Sequence, residues 1–396
     1  MSTFLSILAI VSLLYWLAMA WDTLRARRYI ITMPKQASAS GLPTPLVSVI
    51  IAAKEEESSI TDTVKHLISQ TYPRLEIIAV NDRSQDATGT RLDELRRWSE
   101  GKSGLGIPLR VIHITKLPDG WLGKNHALYQ GYLESRGNLL LFTDADILFE
   151  PHAVEDAVRF LQQEHADHLA LLPRMIAKSL QLRAFVQYFF FSFHMGIRPW
   201  QANNDFTDRG GMGIGAFNMI TREAYEKIGT HRAIALRPDD DLQLGRLVKR
   251  YRLRQRLAAA TEHLAVEWYP HLHAAVRGLE KNLFSGFGYR TWLAVAALLG
   301  QLAFFTAPWL GLLLLPQPAG WLYLASIALM AVCYLTLMPS TSDFRVWELI
   351  AIPATSLFFC YVLARSVYLT LRQGGIYWRG TFYSLKELKR MRGSSS

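Results

Sequence analysis

The chain has 396 residues, half of them hydrophobic, and a formal net charge of +10 at pH 7. Its two cysteines, Cys333 and Cys360, lie in apolar segments, which excludes a disulfide framework and a cysteine-based metal site. Basic residues do not interleave with aromatic residues as in a soluble nucleic-acid-binding domain. We therefore expect no nucleic acid partner and attribute the excess charge to contact with an anionic membrane surface.

The chain begins with an apolar segment, residues 4–21, that contains no charged residue and is long enough to cross a bilayer. Arg25, Arg27 and Arg28 follow this segment rather than precede it, which favours a retained anchor over a cleaved signal peptide. The same arginines place the following domain on the cytoplasmic side of the membrane. We therefore expect an integral protein of a bacterial inner membrane whose central domain is cytoplasmic.

The middle of the chain has the composition of a soluble α/β domain. Short apolar, β-branched runs at 46–52, 75–80, 109–114 and 138–143 predict buried strands, and the segments between them predict helices. Strands that alternate with helices indicate a mainly parallel sheet. Ligands bind such sheets at the carboxyl ends of the strands.

Acidic turns follow two of these predicted strands. Asp82, Ser84 and Asp86 follow the strand at 75–80, and Asp144 and Asp146 follow the strand at 138–143. One or two carboxylates combined with phosphate oxygens are a preferred ligand set of Mg²⁺. Taken alone, the first turn is equally typical of a polar turn in which Asp86 caps the next helix.

A glycine-rich segment at 120–125 lies between the two acidic turns. Its glycines allow a ligand to approach the backbone closely, and Lys124 offers an ammonium group to a phosphate. The alternative is a surface loop with an exposed lysine. A third acidic cluster, Asp239, Asp240 and Asp241, comes roughly a hundred residues after the second turn.

In this order the segments resemble the family 2 glycosyltransferases, which have a GT-A fold. The resemblance rests on residues 54–56 after the first strand, 82–86, 120–125, 144–146, the glycine-rich 210–218 and the late acidic 240–245. It covers roughly residues 46–250. It implies a GT-A nucleotide-sugar-binding domain flanked by transmembrane helices.

The resemblance also implies roles for individual residues. Asp241, aligned by Leu244 and Gly245, would be the catalytic base, with Asp240 as its acidic neighbour; Asp239 remains a competing choice. Asp144 and Asp146 would hold Mg²⁺ or Mn²⁺. Donor binding would fall to Lys54, Glu56, Asp82, Ser84, Asp86, Lys124, Asn125 and Asp144, and acceptor binding to Gly213, Gly215, Ala216 and Phe217.

A motif of processive, polysaccharide-extruding members is missing. Residues 277–282 stand where those members carry Gln-x-x-Arg-Trp, so the chain is more similar to the ceramide glucosyltransferase and carotenoid-acid glycosyltransferase branch. We expect non-processive, inverting transfer from a nucleotide sugar, with a UDP-sugar favoured, to a hydroxyl or carboxyl of a lipid-like acceptor. The alternatives are a metal-dependent nucleotidyltransferase, which needs no late base, and a non-catalytic membrane scaffold.

Three further apolar segments, 292–315, 319–338 and 347–371, follow the central domain. Three full crossings would place the basic tail outside, against the tendency of basic residues to stay cytoplasmic. We therefore expect one segment not to cross, with breaks at Pro308, Pro316 and Pro353. The expected organisation is an anchor at 1–24, a linker at 25–45, the GT-A domain at 46–270, an interfacial segment at 271–290, a transmembrane region at 291–371 and a basic amphipathic tail at 372–396.

Overall fold

The structure, a computed structural model, describes residues 2–35, 41–101, 107–314, 319–340, 345–378, 381–386 and 388–389. Its strands are β1 (Ile31–Thr32), β2 (Val47–Ala53), β3 (Leu75–Asp82), β4 (Leu109–Ile114), β5 (Leu139–Thr143), β6 (Ile147–Phe149), β7 (His168–Leu172), β8 (Arg174–Met175), β9 (Asn218–Thr221), β10 (Gln255–Ala259), β11 (Leu264–Val266), β12 (Gly375–Trp378) and β13 (Thr381–Ser384).

The helices are α1 (Ser2–Ala26), α2 (Ile60–Ile68), α3 (Thr88–Gly101), α4 (Gly123–Leu133), α5 (Ala153–Gln163), α6 (Leu180–Ile197), α7 (Arg222–Lys227), α8 (Asp240–Arg250), α9 (Leu272–Gly286), α10 (Thr291–Gly300), α11 (Ala307–Leu314), α12 (Ala319–Leu337) and α13 (Ile352–Gln373). A π-helical segment, Gln301–Thr306, joins α10 to α11. The described residues form two compact units, and each is discontinuous in sequence.

The first, which we call the sheet unit, comprises Arg28–Met175 and Arg198–Glu267. Its main sheet has the strand order β1-β10-β7-β9-β5-β2-β3-β4. Neighbouring strands are parallel, except that β9 runs antiparallel to both β5 and β7. A smaller sheet joins β6, β11 and β8. The predicted mainly parallel α/β sheet is confirmed.

The central strands are apolar because the sheet is covered on both faces. On β2, Val49 and Ile51 belong to one buried cluster and Ile50 and Ala52 to another. Successive side chains of a strand point to opposite faces, so alternate residues fill the two cores. A strand buried on both faces reads as a continuous hydrophobic run, which is why β2, β3 and β5 could be predicted.

The antiparallel strand β9 brings a distant loop to the edge of the sheet where ligands bind. Its first residue, Asn218, pairs with Phe142 near the carboxyl end of β5. Because β9 is antiparallel to β5, the residues before Asn218 emerge at the edge where the chain leaves β5. The glycine-rich segment 210–217 therefore lies beside Asp144, although more than sixty residues separate them in the sequence.

The second, helical unit comprises Met1–Arg27, Ile176–Ile197 and Trp268–Ser396, and it contains α1, α6, α9 to α13 and the hairpin β12–β13. Among the described residues, four helical segments are long and apolar enough to cross a membrane, as judged by length and composition: Ser6–Tyr29, Thr291–Leu314, Ala319–Leu337 and Val346–Gln373. They coincide with the four segments predicted from sequence. The chain therefore has the hydrophobic helices that membrane association requires.

The expected break at Pro308 was wrong, because the helix continues through it. Proline has no N–H to donate to the carbonyl four residues earlier, that of Phe304. The indole N–H of Trp16 donates to this carbonyl instead, at 2.9 Å, and the backbone before the proline widens into the π-helical segment. Pro353 lies in the first turn of α13, a position that tolerates proline. Pro316 lies outside the described residues.

The start of the basic tail is an antiparallel hairpin, in which Ile376 pairs with Tyr383. Exposed Lys386 and Lys389 follow it. Residues 379–380, 387 and 390–396, which carry the remaining basic side chains of the predicted amphipathic tail, lie outside the described residues. The amphipathic character of the whole tail stays a prediction.

Candidate active site

Lys124 connects two of the acidic segments. It is the second residue of α4, and its Nζ lies 2.8 Å from Oδ1 of Asp144 and 3.4 Å from Oδ2 of Asp240. Burial disfavours the charged ammonium, but the carboxylates of Asp144, Asp240 and Asp241 outweigh this effect and raise the pKa of Lys124. The charged ammonium therefore holds the carboxylates after β5 and at the start of α8 in one cluster.

Gly215 makes a second connection between these segments. Its backbone N–H donates to Oδ2 of Asp241 at 2.9 Å, and its carbonyl accepts from the backbone N–H of Asp144 at 2.9 Å. A Cβ atom at Gly215 would collide with the Asp144 carboxylate, and one at Gly213 would collide with the Asp241 carbonyl. The two glycines are thus required for the loop to approach both aspartates.

The three adjacent aspartates have different environments. Asp239 accepts two hydrogen bonds from Arg237, each 3.1 Å, and one from Gln243 at 2.6 Å. Burial alone would raise the pKa of Asp239, but Arg237 and Gln243 lower it overall. Its carboxylate is therefore a weak base that fixes the turn before α8.

Asp240 and Asp241 lie at the start of α8 and have raised pKa values. Burial is the main cause for both. The neighbouring Asp240 carboxylate raises the pKa of Asp241 further, while the ammonium of Lys124 opposes the rise. A carboxylate with a raised pKa is a stronger proton acceptor, so Asp240 and Asp241 suit a general base better than Asp239 does.

The carboxylate pair after β5 has the chemistry of a divalent-cation site. Burial raises the pKa of Asp146 to about 7, and the charges of Asp144 and Glu56 add to this effect. Within the described ranges, no group of three or more His, Cys, Asp and Glu side chains could hold a metal ion. Two carboxylates are the share of protein ligands that Mg²⁺ takes when phosphate oxygens complete the ligand set, so Asp144 and Asp146 have the chemistry that the predicted Mg²⁺ or Mn²⁺ site needs.

The turns after β2 and β3 are joined by hydrogen bonds. The N–H of Glu55 donates to Oγ of Ser84 at 3.1 Å, and the N–H of Glu57 donates to Oδ2 of Asp86 at 3.1 Å. Asp86 also accepts from the N–H and hydroxyl of Thr88, the first residue of α3. Ser84 and Asp86 therefore shape the predicted donor edge, and the capping alternative for Asp86 agrees with these contacts.

The other predicted donor residues of these turns lie at the same edge. Asp82 ends β3, is buried, and accepts two hydrogen bonds from Arg83, at 2.7 and 3.1 Å. Glu56 accepts a hydrogen bond from the Ser59 hydroxyl at 2.9 Å, and Lys54 directly follows β2. A nucleotide that contacts Asp82 must share its carboxylate with Arg83.

Three predicted contact residues prove to be structural. The buried Asn125 donates its amide N–H groups to the carbonyls of Ile234, Ala235 and Arg237, so it positions the turn before Asp239 instead of facing a donor. Phe217 is fully buried in the core of the sheet unit and cannot contact an acceptor. Ala216 is also buried, and its carbonyl accepts from the Thr143 hydroxyl at 2.7 Å.

A buried polar network beneath the glycine-rich loop was not predicted. Gln255 of β10 accepts from the N–H of Met212 at 2.9 Å and donates to the carbonyl of Gly245 and to Nδ1 of His168. Nε2 of His168 is hydrogen-bonded to Oδ1 of Asn218. Burial lowers the pKa of His168 to about 4, so the ring is neutral. The network joins the loop to α8 and β9. The sequence signal that could have identified it is a polar residue within a short apolar strand.

Comparison with known proteins bears on both fold and family. Residues 48–229 match the family described as Glycosyl transferase family 2. A mannosyltransferase from Pyrobaculum calidifontis, solved in complex with GDP-Man and Mn²⁺, aligns with a TM-score of 0.52 over 92% of this chain and 98% of its own. Its sequence identity is 17%, so this likeness shows the fold alone: the sheet unit has the predicted GT-A fold.

Curated relatives are similar over parts or most of the chain. The Bacillus subtilis (strain 168) protein named Probable glycosyltransferase YdaM is 41% identical over 112 residues, 28% of this chain and 25% of that protein. A Staphylococcus haemolyticus 4,4'-diaponeurosporenoate glycosyltransferase is 31% identical over 37% of this chain and 36% of its own length. These matches span about a third of the relatives or less. The Staphylococcus aureus (strain USA300) enzyme of the same name is 24% identical over 86% of this chain and 89% of its own.

Proposed function

We propose that this chain, whose residues 48–229 form a family 2 glycosyltransferase domain, transfers a sugar from a nucleotide-sugar donor to a hydroxyl or carboxyl of a lipid-like acceptor. One observation carries the proposal: Lys124 and Gly215 bring Asp144, from the predicted donor site, together with Asp240 and Asp241, the predicted base and its neighbour. A nucleotidyltransferase would not need a carboxylate of raised pKa against a glycine-rich loop.

The donor would lie along the edge formed by the turns after β2, β3 and β5. Its diphosphate carries negative charge, which Lys124 and a divalent cation held by Asp144 and Asp146 would balance. Such a cation stabilises the departing nucleoside diphosphate as a Lewis acid. The donors in related structures, such as GDP-Man with Mn²⁺ in the Pyrobaculum mannosyltransferase, are consistent with this assignment. A UDP-sugar remains the favoured donor.

The transfer is proposed as a single displacement with inversion. The carboxylate of Asp241 takes the proton of the acceptor hydroxyl as the acceptor oxygen forms its bond to the anomeric carbon. The bond from that carbon to the diphosphate breaks at the same time, and the diphosphate oxygen keeps the electron pair. Both oxygens of the Asp241 carboxylate accept a backbone N–H, Oδ2 from Gly215 at 2.9 Å and Oδ1 from Leu242 at 2.7 Å, and these bonds orient the carboxylate. Each oxygen keeps a second lone pair that can accept the proton.

A lipid-like acceptor is supported by the hydrophobic helices and by the 4,4'-diaponeurosporenoate named as substrate of the relatives. Residues 277–282, which lack the Gln-x-x-Arg-Trp motif, support transfer of single sugars rather than processive synthesis. We propose an integral protein of the bacterial inner membrane with the sheet unit in the cytoplasm, where nucleotide sugars are available.

Two measurements on the purified full-length protein test the proposal. Release of nucleoside diphosphate from a panel of UDP-sugars and GDP-mannose identifies the donor, and labelled sugar recovered in an organic extract identifies lipid transfer. A nucleotidyltransferase would instead release pyrophosphate from a nucleoside triphosphate supplied with a sugar phosphate, a mixture assayed in parallel, and a scaffold would release neither product. Pyrophosphate from that mixture, or no nucleoside diphosphate from any nucleotide sugar, would reject the proposal.

A further inference from the structure

A pocket of the sheet unit lies beside the predicted acceptor loop. It has a volume of about 340 Å³ and is lined by Asp208, Arg209, Gly210, Gly211, Arg246 and Arg250. That volume is within the range of small-molecule sites, roughly 300–1,000 Å³. None of its residues belongs to the donor edge or to the cluster around Lys124.

The pocket is basic. It contains three arginines against the single carboxylate of Asp208. Arg246 and Arg250 lie four residues apart on α8 and so present their side chains on one helix face. Planar guanidinium groups grouped in this way match the geometry of phosphate and carboxylate oxygens.

The guanidinium group of Arg246 is available to bind a ligand, because, among the described residues, it does not stabilise the fold through a polar contact of its own. In the part of the chain that the structure describes, its guanidinium makes no hydrogen bond and no ion pair, although the side chain is half-buried. Burial lowers the pKa of Arg246, and the carboxylate of Asp239 only partly opposes this. Asp239 itself is engaged by Arg237 and Gln243. A half-buried cation without a partner gains from a bound anion.

The pocket is physically continuous with the acceptor loop. Gly211 packs so closely on the backbone of Gly245 and Arg246 that a Cβ atom would not fit. Asp241 and Arg246 lie on the same helix, α8, so its rise of about 1.5 Å per residue sets their separation. Along this axis Arg246 is about 8 Å and Arg250 about 14 Å from the proposed base. These are separations of backbone positions along the helix, and Asp241 is not among the residues that line the pocket.

We propose that this pocket binds an oxyanion, a phosphate or a carboxylate, that the acceptor carries about 8–14 Å from its reacting oxygen. This inference rests on the proposed function and narrows its acceptor to an anionic amphiphile. Arg246 holds the anion, and Arg209 and Arg250 add charge at the pocket wall. The acceptor is thereby oriented with its neutral hydroxyl toward Asp241.

The test uses full-length protein and a total bacterial lipid extract separated by anion exchange into neutral and anionic fractions. Wild type is expected to label the anionic fraction, and the labelled product should bind the exchanger. Arg246→Ala should raise the KM for that fraction about 10–100-fold, the loss of one or two charged hydrogen bonds. Nucleoside diphosphate release without acceptor, and the KM for the donor, should remain at wild-type values, which also shows that the variant folds.

Arg136→Ala is the matched control, because Arg136 is exposed at the opposite, amino-terminal end of β5. It removes the same charge and should change neither KM. Inorganic phosphate offers the oxyanion without a lipid, and it should raise the melting temperature of wild type and Arg136→Ala more than that of Arg246→Ala. This readout does not depend on turnover.

Each result decides a separate point. Labelling of the neutral fraction would overturn the inference, even if added anionic vesicles stimulated it, because the oxyanion would then belong to the membrane and not to the acceptor. An unchanged acceptor KM in Arg246→Ala, or equal stabilisation of wild type and Arg246→Ala by phosphate, would also overturn it. Failure of wild type to turn over any nucleotide sugar would instead reject the proposed function.

Discussion

Gly215 and Asp241 are joined by a hydrogen bond of 2.9 Å from the glycine N–H to Oδ2 of the carboxylate. The carbonyl of the same glycine accepts the N–H of Asp144. One peptide segment thus sets the separation between the predicted donor carboxylate and the predicted base. Any residue larger than glycine would have to displace the Asp144 side chain.

Gly215→Ala is therefore expected to reduce turnover by about 10²-fold or more, the scale of a misplaced catalytic group. Steady-state kinetics with the donor identified above measure the effect. Gly101→Ala is the control, since a Cβ atom at Gly101 meets nothing within 4 Å. Wild-type turnover in Gly215→Ala would show that the loop does not position the carboxylates.

Substitutions at Asp239, Asp240 and Asp241 can distinguish the proposed base from an aspartate that stabilises the fold. Asp241→Asn keeps an oxygen that accepts from Gly215 but loses the basic carboxylate, so turnover should fall about 10²–10⁴-fold with donor KM near wild type. Asp239→Asn should mainly destabilise the fold by about 1–3 kcal/mol, because the buried guanidinium of Arg237 loses its charged partner. Kinetics and thermal unfolding distinguish the two effects. An active Asp241→Asn together with a well-folded but inactive Asp239→Asn or Asp240→Asn would shift the base.

The ionised carboxylate of Asp146 is predicted to lower the stability of the metal-free protein, although metal binding requires it. Its pKa is about 7 in the folded protein and 3.8 as the ordinary value, so the folded state is penalised once the group ionises. Without metal, Asp146→Asn should raise the melting temperature at pH 8 by about 2–5 °C, and with metal present it should abolish most activity. The difference in melting temperature should shrink as the pH falls from 8 to 5, because wild type then binds the proton that removes the cost of a buried charge beside Asp144 and Glu56.

Divalent cations should reverse the order of the two melting temperatures, so that wild type becomes more stable than Asp146→Asn. Mn²⁺ or Mg²⁺ with a nucleoside diphosphate is expected to stabilise wild type and to leave Asp146→Asn unchanged. Melting curves with chelator and with metal provide the measurement. Full wild-type activity in excess chelator would exclude Asp144 and Asp146 as a required metal site.

The sequence predicted the donor side of the site better than the acceptor side. Strands β2, β3 and β5 are largely apolar because both faces of the sheet are covered, and the acidic turns follow directly from them. Strands β9 and β10 begin with Asn218 and Gln255, which are polar yet buried. Both are hydrogen-bonded to His168, and such long-range pairing leaves only a weak local signal, a polar residue in a short apolar strand.

Individual side chains within the predicted segments were harder to assign. Asn125 and Phe217 lie next to Lys124 and the acceptor loop in sequence, but helix and strand geometry turn them into the protein interior. Asp241 was chosen from the register set by Leu244 and Gly245, whereas the structure separates Asp239 from the other two through its pairing with Arg237, which no motif indicated. Spacing thus located the segments, whereas packing determined which members face a ligand.

The C-terminal tail is predicted to lie on the cytoplasmic side of the membrane. Three C-terminal helices are long enough to cross a membrane, but basic residues such as Arg372, Lys386 and Lys389 favour a cytoplasmic tail, so one helix is expected not to cross. In a variant with both native cysteines replaced by alanine, Ser394→Cys should react with an impermeant thiol reagent only after cells are opened. Gln317→Cys and Ser342→Cys report the intervening connections; all three positions lie outside the described residues. Labelling of Ser394→Cys in intact cells would establish three crossings.

In the sequence, α6 lies between the two segments of the sheet unit. This position determines the order in which the site is completed during synthesis. Every predicted donor and metal residue, from Lys54 to Asp146, leaves the ribosome before α6, whereas Gly215 and Asp241 follow it. Strands β9 and β10, which lie between or beside earlier strands, also arrive late. A nascent chain that ends within α6 therefore carries the predicted donor turns without the predicted base, Asp241, and with a gap between β5 and β7. The proposed transfer would then begin only after a helix of the helical unit has been made.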